Sequence, residues 1–215
     1  MILHLETATK VCSVALSNEG RKVAMLEQND ENYSHSEKLT VFIEQLLKEN
    51  EVAFSELKAI SVASGPGSYT GLRIGVSTAK GLCYGLEIPL IAVNALESIA
   101  QQIQVKYPTK KHFAPLIDAR RMEVFCAIYD QQFNVVKPIS ADILTAASYS
   151  EWEDVVFAGD GAKKAKEIWN NRSEVVDDQL LSSAEGQIQL AWEKFQHKNF
   201  EDLAYFEPFY LKDFK

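Results

Sequence analysis

The chain has 215 residues, 47% hydrophobic and 24% charged, the balance of a soluble globular protein large enough for two small lobes. Its formal net charge of −8 argues against a protein that grips nucleic acid unaided: that needs clustered Lys and Arg, and the conspicuous basic stretches here are only pairs, Lys110-Lys111, Arg120-Arg121 and Lys163-Lys164. No apolar run is long enough to span a bilayer and no signal peptide opens the chain, while Cys12, Cys83 and Cys126 lie far apart in apolar segments, as reduced core residues of a cytoplasmic protein do.

Ile2 to Leu5, Val11 to Ser17 and Arg21 to Gln28 read as strands, the last two joined by a hairpin at Asn18-Glu19-Gly20. Ser36 to Glu49 reads as an amphipathic helix with Leu39, Phe42, Ile43, Leu46 and Leu47 on one face. A strand at Ala59 to Ala63 then enters Ser64-Gly65-Pro66-Gly67-Ser68-Tyr69-Thr70-Gly71. Pro66-Gly67 suits a type II turn with Gly67 at positive φ, and Ser68 or Thr70 suits the cap of the next helix. A glycine-lined strand-to-helix turn can cradle an anion, but the Gly-Lys-Ser/Thr of a phosphate loop is missing, so a purely structural turn is the competing reading.

The helix that follows runs from Thr70 to Leu86, with Gly71, Gly75, Ala79 and Cys83 recurring every fourth residue. Such a stripe lets another backbone approach closely, either this protein's own sheet or a partner's helix. Pro89 to Val93 is a further strand, and Asn94 caps a helix reaching about Gln104. Lys106 to Lys111 marks a lobe boundary, dividing 1–105 from 106–215. Beyond it come strands at Phe113 to Ile117, Glu123 to Tyr129, Phe133 to Pro138 and Val155 to Ala158. A tight Gly159-Asp160-Gly161 turn enters a helix from Ala162 to Asn170, and Ser183 to Lys198 reads as one long helix. The aromatic tail, Tyr205 to Lys212, must cover apolar surface or expose it, and packing back on the first lobe is one way to do so. Helices alternating with mixed strands describe an α/β fold.

Five ordered segments resemble the TsaB (YeaZ-like) family: Ile2 to Thr9 with Ser13 to Leu16, His35 to Leu39, Gly65 to Gly75 continuing through Leu82, Asp118 to Phe125, and Pro208 to Lys212. The resemblance implies an actin/Hsp70/sugar-kinase-like fold of two related lobes, and a role in forming threonylcarbamoyladenosine beside the tRNA anticodon. It implies a non-catalytic subunit that pairs with the catalytic paralogue TsaD, works with the TsaE ATPase, forms a homodimer when alone and meets tRNA mainly through the complex. No cofactor is implied, except a nucleotide at the partner interface, and no membrane.

The resemblance assigns the partner interface to the first-lobe helices: His35, Leu39, Phe42, Ile43 and Leu46 on one, and Thr70, Leu72, Arg73, Gly75, Val76, Ala79 and Cys83 on the other. Glu6, Thr7 and Thr9 occupy the vestige of the superfamily's phosphate hairpin, with Glu6 where Asp is usual. Asp118, Arg120 and Glu123 form a polar cluster, read as an ion pair that sets lobe geometry. The four histidines, His4, His35, His112 and His197, lack the His-x-x-x-His spacing of the metal-binding paralogue, so no metal site and no catalytic residue is expected. His4 reads as partly buried, and His112 and His197 as near the surface. An ATP-dependent phosphotransferase or glycoprotease-like peptidase of the same superfamily is the alternative.

Overall fold

The computed structural model describes residues 1–29, 35–169 and 172–212. In the first half, β1 (Ile2–Glu6), β2 (Val11–Asn18) and β3 (Arg21–Asn29) pair antiparallel, followed by α1 (His35–Glu49). Then β4 (Ala59–Ala63), α2 (Tyr69–Leu86) and β5 (Leu90–Val93) add two parallel strands on the other side of β1. α3 (Ala95–Lys106) leads into β6 (His112–Asp118), β7 (Glu123–Asp130) and β8 (Val135–Ile143), again antiparallel. β9 (Val155–Ala158), α4 (Ala162–Ile168) and β10 (Val175–Asp177) follow, the strands parallel to β6, and α5 (Ile188–Gln196) closes the helices.

The sheet orders are β3-β2-β1-β4-β5 and β10-β9-β6-β7-β8. Counted from its own first strand, the second sheet repeats the order and directions of the first. This duplicated pair of mixed sheets with flanking helices is the expected fold class.

Alternation along the strands fixes the layers. Cys12, Val14 and Leu16 of β2 join Leu39, Ile43 and Leu46 of α1 and Val76, Ala79 and Cys83 of α2 in one core. Ile2, Ala59, Ile91 and Val93 point to the other face, against Ala191 and Trp192 of α5. In the second sheet, Phe113, Ile117 and Tyr129 pack on Leu96, Ile99 and Ile103 of α3. Leu116, Cys126 and Phe157 meet Ala162, Ala165 and Trp169 on the opposite face.

Several sequence expectations need correction. The lobes are not the contiguous halves 1–105 and 106–215, because the chain returns to the first sheet after Ser182. Ser13 Oγ accepts from the Ala184 N–H at 3.1 Å, α5 covers β5, and the Glu201 N–H donates to the Leu90 carbonyl at 2.9 Å. The single helix expected from Ser183 to Lys198 is a 3₁₀ turn, Ala184–Gln187, followed by α5. That turn is tightened where Gly186 lies on α3, with space for a Cβ closed by the Ser98 carbonyl at 2.3 Å. β8 begins two residues late, because Asp130 accepts from the Gln132 and Asn134 N–H groups and Phe133 sits in the left-handed region at φ 65°. α4 ends at Ile168, and its expected last residue, Asn170, lies outside the described residues. The short β10 had no sequence expectation.

Candidate functional site

The ends of β1 and β4 in one lobe, and of β6 and β9 in the other, open onto a cleft of about 1050 Å³. On the first-lobe side the β4–α2 turn is clamped to the β1–β2 turn. The Ser68 N–H donates to the Ala8 carbonyl at 2.6 Å, and Ser68 Oγ accepts from the Gly71 N–H at 3.3 Å as the α2 cap. The expected type II turn is not formed. Positive φ falls on Gly65 (107°), the Gly65–Pro66 peptide is cis, and Gly67 is demanded by proximity, since a Cβ there would lie 2.2 Å from the Ala8 carbonyl.

The small-residue stripe of α2 faces inward. A Cβ on Gly71 would meet the Thr7 carbonyl at 2.1 Å, and one on Gly75 would meet Thr7 Oγ1 at 2.3 Å. The stripe therefore brings α2 onto this chain's own β1 turn, not onto a partner. Leu39, Ile43, Leu46, Leu72, Gly75, Val76, Ala79 and Cys83 are all buried in the chain's own core, as is His35, whose Nε2 is 2.8 Å from the Thr9 carbonyl oxygen. Phe42 stays half-buried, and Thr70 and Arg73 remain exposed. What the two helices show to solvent is a different set, led by Val41, 55% exposed, and Tyr84, 81% exposed.

Glu6, Thr7 and Thr9 are buried and committed to internal bonds. Glu6 Oε1 accepts from the Ala8 N–H at 2.7 Å, and Oε2 accepts from Gln187 Nε2 at 3.3 Å. Thr7 Oγ1 donates to the Gly71 carbonyl at 2.8 Å, and the Thr9 and Ser182 hydroxyls share a bond of 2.5 Å. Burial pushes the Glu6 carboxyl up to about 7, with Glu27 and Asp160 adding like charge. Gln187, which also donates to the Leu5 carbonyl and accepts from Ser61, escaped the sequence reading because its partners lie over 100 residues away.

On the second-lobe side the polar cluster is wired differently from expectation. The Arg120 guanidinium does not pair with Asp118 or Glu123. Asp118 Oδ1 accepts from the Arg120 backbone N–H at 2.6 Å and from Lys164 Nζ at 2.7 Å, while Glu123 Oε2 pairs with Lys212 Nζ. Arg120 and Arg121 both adopt positive φ, 68° and 47°, conformations that disfavour a side chain by about 1–2 kcal/mol per residue. Asp160 faces the same cleft, accepts from the Asp118 N–H at 2.9 Å, and is pushed up to about 6 chiefly by burial. The Gly159-Asp160-Gly161 spacing after a strand, echoing Gly65-Pro66-Gly67, was the sequence signal that could have marked it.

The tail closes one end of the cleft. The Phe209 N–H donates to the Ser64 carbonyl at 2.7 Å, Tyr210 lies 4.7 Å from the Tyr69 ring, and Lys80 Nζ donates to the Ala204 and Phe206 carbonyls. Lys212 then reaches Glu123, so the tail ties α2 to the second lobe.

His4 is fully buried rather than partly so, and burial holds it neutral, its pKa lowered to about 3. The three thiols are free and buried, and burial pushes Cys12 up to about 11 and Cys83 and Cys126 to about 12, which makes them poor nucleophiles. Among the described residues no group of three His, Cys, Asp or Glu side chains is placed to hold a metal, and no helix is long and apolar enough to cross a membrane.

A duplicated sheet–cleft–sheet body with paired turns at the cleft defines a two-lobed protein of the actin/Hsp70/sugar-kinase-like class. Residues 30–215 match the family model described as TsaD: tRNA N6-adenosine threonylcarbamoyltransferase. Over its whole length the chain is 30% identical to the tRNA threonylcarbamoyladenosine biosynthesis protein TsaB of Escherichia coli K12, covering 99% of this chain and 94% of that one. It is 34% identical to the TsaB of Bacillus subtilis 168 over 66% of this chain and 60% of that one. YeaZ from Pseudomonas aeruginosa superposes with a TM-score of 0.81 at 30% identity, covering 98% of this chain and 99% of that one. The chain belongs to the TsaB family.

Proposed function

We propose that this chain is a non-catalytic, cytoplasmic subunit of a tRNA threonylcarbamoyladenosine-forming assembly, pairing with the catalytic paralogue TsaD and serving with the TsaE ATPase. The observation that carries this reading is the β1–β2 turn. The side chains that would meet a phosphate there, Glu6, Thr7 and Thr9, are turned into internal bonds. Any nucleotide then belongs to the partner interface, and tRNA is met mainly within the assembly.

The partner surface is the outer face of α1 and α2. Tyr84 stands 81% exposed beside Gly81 and Gly85, where a built Cβ meets nothing within 4 Å, so a partner backbone can come close. The same face joins two copies of this chain when no paralogue is present. Reconstitution with TsaD, TsaE and tRNA should give at least tenfold more modified tRNA with this chain than without it; equal yields would overturn the reading. Tyr84→Arg should weaken association with TsaD about tenfold or more with an unchanged circular dichroism spectrum. Unchanged affinity would move the interface elsewhere. Saturable ATP binding by the isolated chain would favour an enzyme instead.

A further inference from the structure

We propose that the β6–β7 turn is a contact for the RNA phosphate backbone, made by the guanidiniums of Arg120 and Arg121 at the rim of the interlobe cleft. This rests on the tRNA reading above and adds a direct contact from this chain. Arg120 and Arg121 hold consecutive left-handed conformations at φ 68° and 47°. Asp118 Oδ1 on the Arg120 N–H and the Glu123 N–H on the Arg120 carbonyl hold that bend in place. Asn and Gly would make such a bend with less strain, so the bend alone does not account for two arginines.

The charge pattern points the same way. Each acid of the turn already has a cation, Asp118 from Lys164 and Glu123 from Lys212, and Asp160 accepts from the Asp118 N–H. Among the described residues neither guanidinium has an ion-pair partner, and both side chains are exposed. Two guanidiniums without an ion-pair partner thus stand at the cleft of a chain with net charge −8. A guanidinium fork matches phosphate oxygens in geometry as well as charge. On the opposite wall Thr70 offers a hydroxyl in the first turn of the 18-residue α2, where the helix dipole is positive.

The lining favours a phosphate contact over a stacked base. The cleft, about 1050 Å³, lies just above the roughly 300–1,000 Å³ range of small-molecule pockets. Its two tyrosine rings, Tyr69 and Tyr210, already pack on each other at 4.7 Å, which leaves no open aromatic slot for a base.

Fluorescence anisotropy with labelled tRNA tests this, on the chain alone at low salt and on its assembly with TsaD. Arg120→Ala/Arg121→Ala should weaken tRNA binding about tenfold in both and reduce the salt slope by about two, roughly 0.9 per lost phosphate contact. The Lys pair should restore most of the affinity. TsaD association, read by titration without tRNA, should be unchanged, which separates this proposal from the pairing it rests on. If the chain and TsaD do not associate, the chain-alone arm still decides. Equal affinity and slope for wild type and the Ala pair would overturn the proposal. So would ATP binding to the isolated chain that disappears in the Ala pair, because the arginines would then serve a free nucleotide.

Discussion

The β1–β2 and β6–β7 turns occupy equivalent places in the two lobes, each after the first strand of its sheet and each facing the cleft, yet they use their residues in opposite ways. Glu6 and the two threonines after it are buried and bonded inward. Asp118 and the two arginines after it stay at the surface, with Lys164 and Lys212 bracing the turn. The strand-to-helix turns repeat the contrast. Gly65 and Gly159 share positive φ, at 107° and 114°, but the first leads to an 18-residue helix pressed onto β1 and the second to a 7-residue one. A duplicated scaffold has therefore kept its backbone signals while one lobe closed its half of the cleft and the other left its half charged and open.

The largest expected difference lies in the paired glycines. A Cβ on Gly67 would press on the Ala8 carbonyl at 2.2 Å, whereas one on Gly161 meets Val124 Cγ1 at 2.9 Å and the Leu116 carbonyl at 3.0 Å. Gly67→Ala should lower stability to urea by about 3 kcal/mol and Gly161→Ala by about 1 kcal/mol. Equal losses would break the view that Gly67 is the more tightly enclosed of these two positions.

Glu6 gives the next effect, through pH. Its folded pKa, about 7, lies above its ordinary 4.5, so the folded state holds a proton that the unfolded chain releases. Stability from this group is greatest below pH 4.5, falls as pH rises to about 7, and is level above that. Glu6→Gln should remove roughly 3 kcal/mol of this slope, seen as a difference between the two proteins' urea midpoints across the window. Parallel curves would mean that Glu6 reaches water or a cation in the folded protein.

The smallest effect should come from the opposing carboxylate. Asp118→Ala removes two bonds at an exposed turn and should cost about 1 kcal/mol, with the second lobe still folded. A loss as large as that at Gly67 would make the β6–β7 turn a structural keystone rather than a contact surface.

Much of the fold was legible because the signals are local. The 3,4-spaced apolar residues of α1, the alternation along β2 and the Ser68 and Asn94 caps depend only on neighbours within a turn or two. The candidate site was less legible. Gly71, Gly75 and Ala79 announced a close approach, but periodicity names the face and not what lies against it. Arg120 looked like an ion-pair partner because Asp118 and Glu123 are near in sequence, yet Lys164 and Lys212, 46 and 89 residues from those acids, take that role.

By itself the sequence determined the family, the order of strands and helices, and which residues must avoid water, since these follow from chain chemistry at short range. Only the tertiary structure decided that the stripe of α2 serves its own β1, that residues after Ser182 return to the first lobe, and that Glu6 is sealed while Arg120 and Arg121 are left open. Those outcomes depend on contacts between residues far apart in the chain, where burial and charge pairing are set by what the fold brings together.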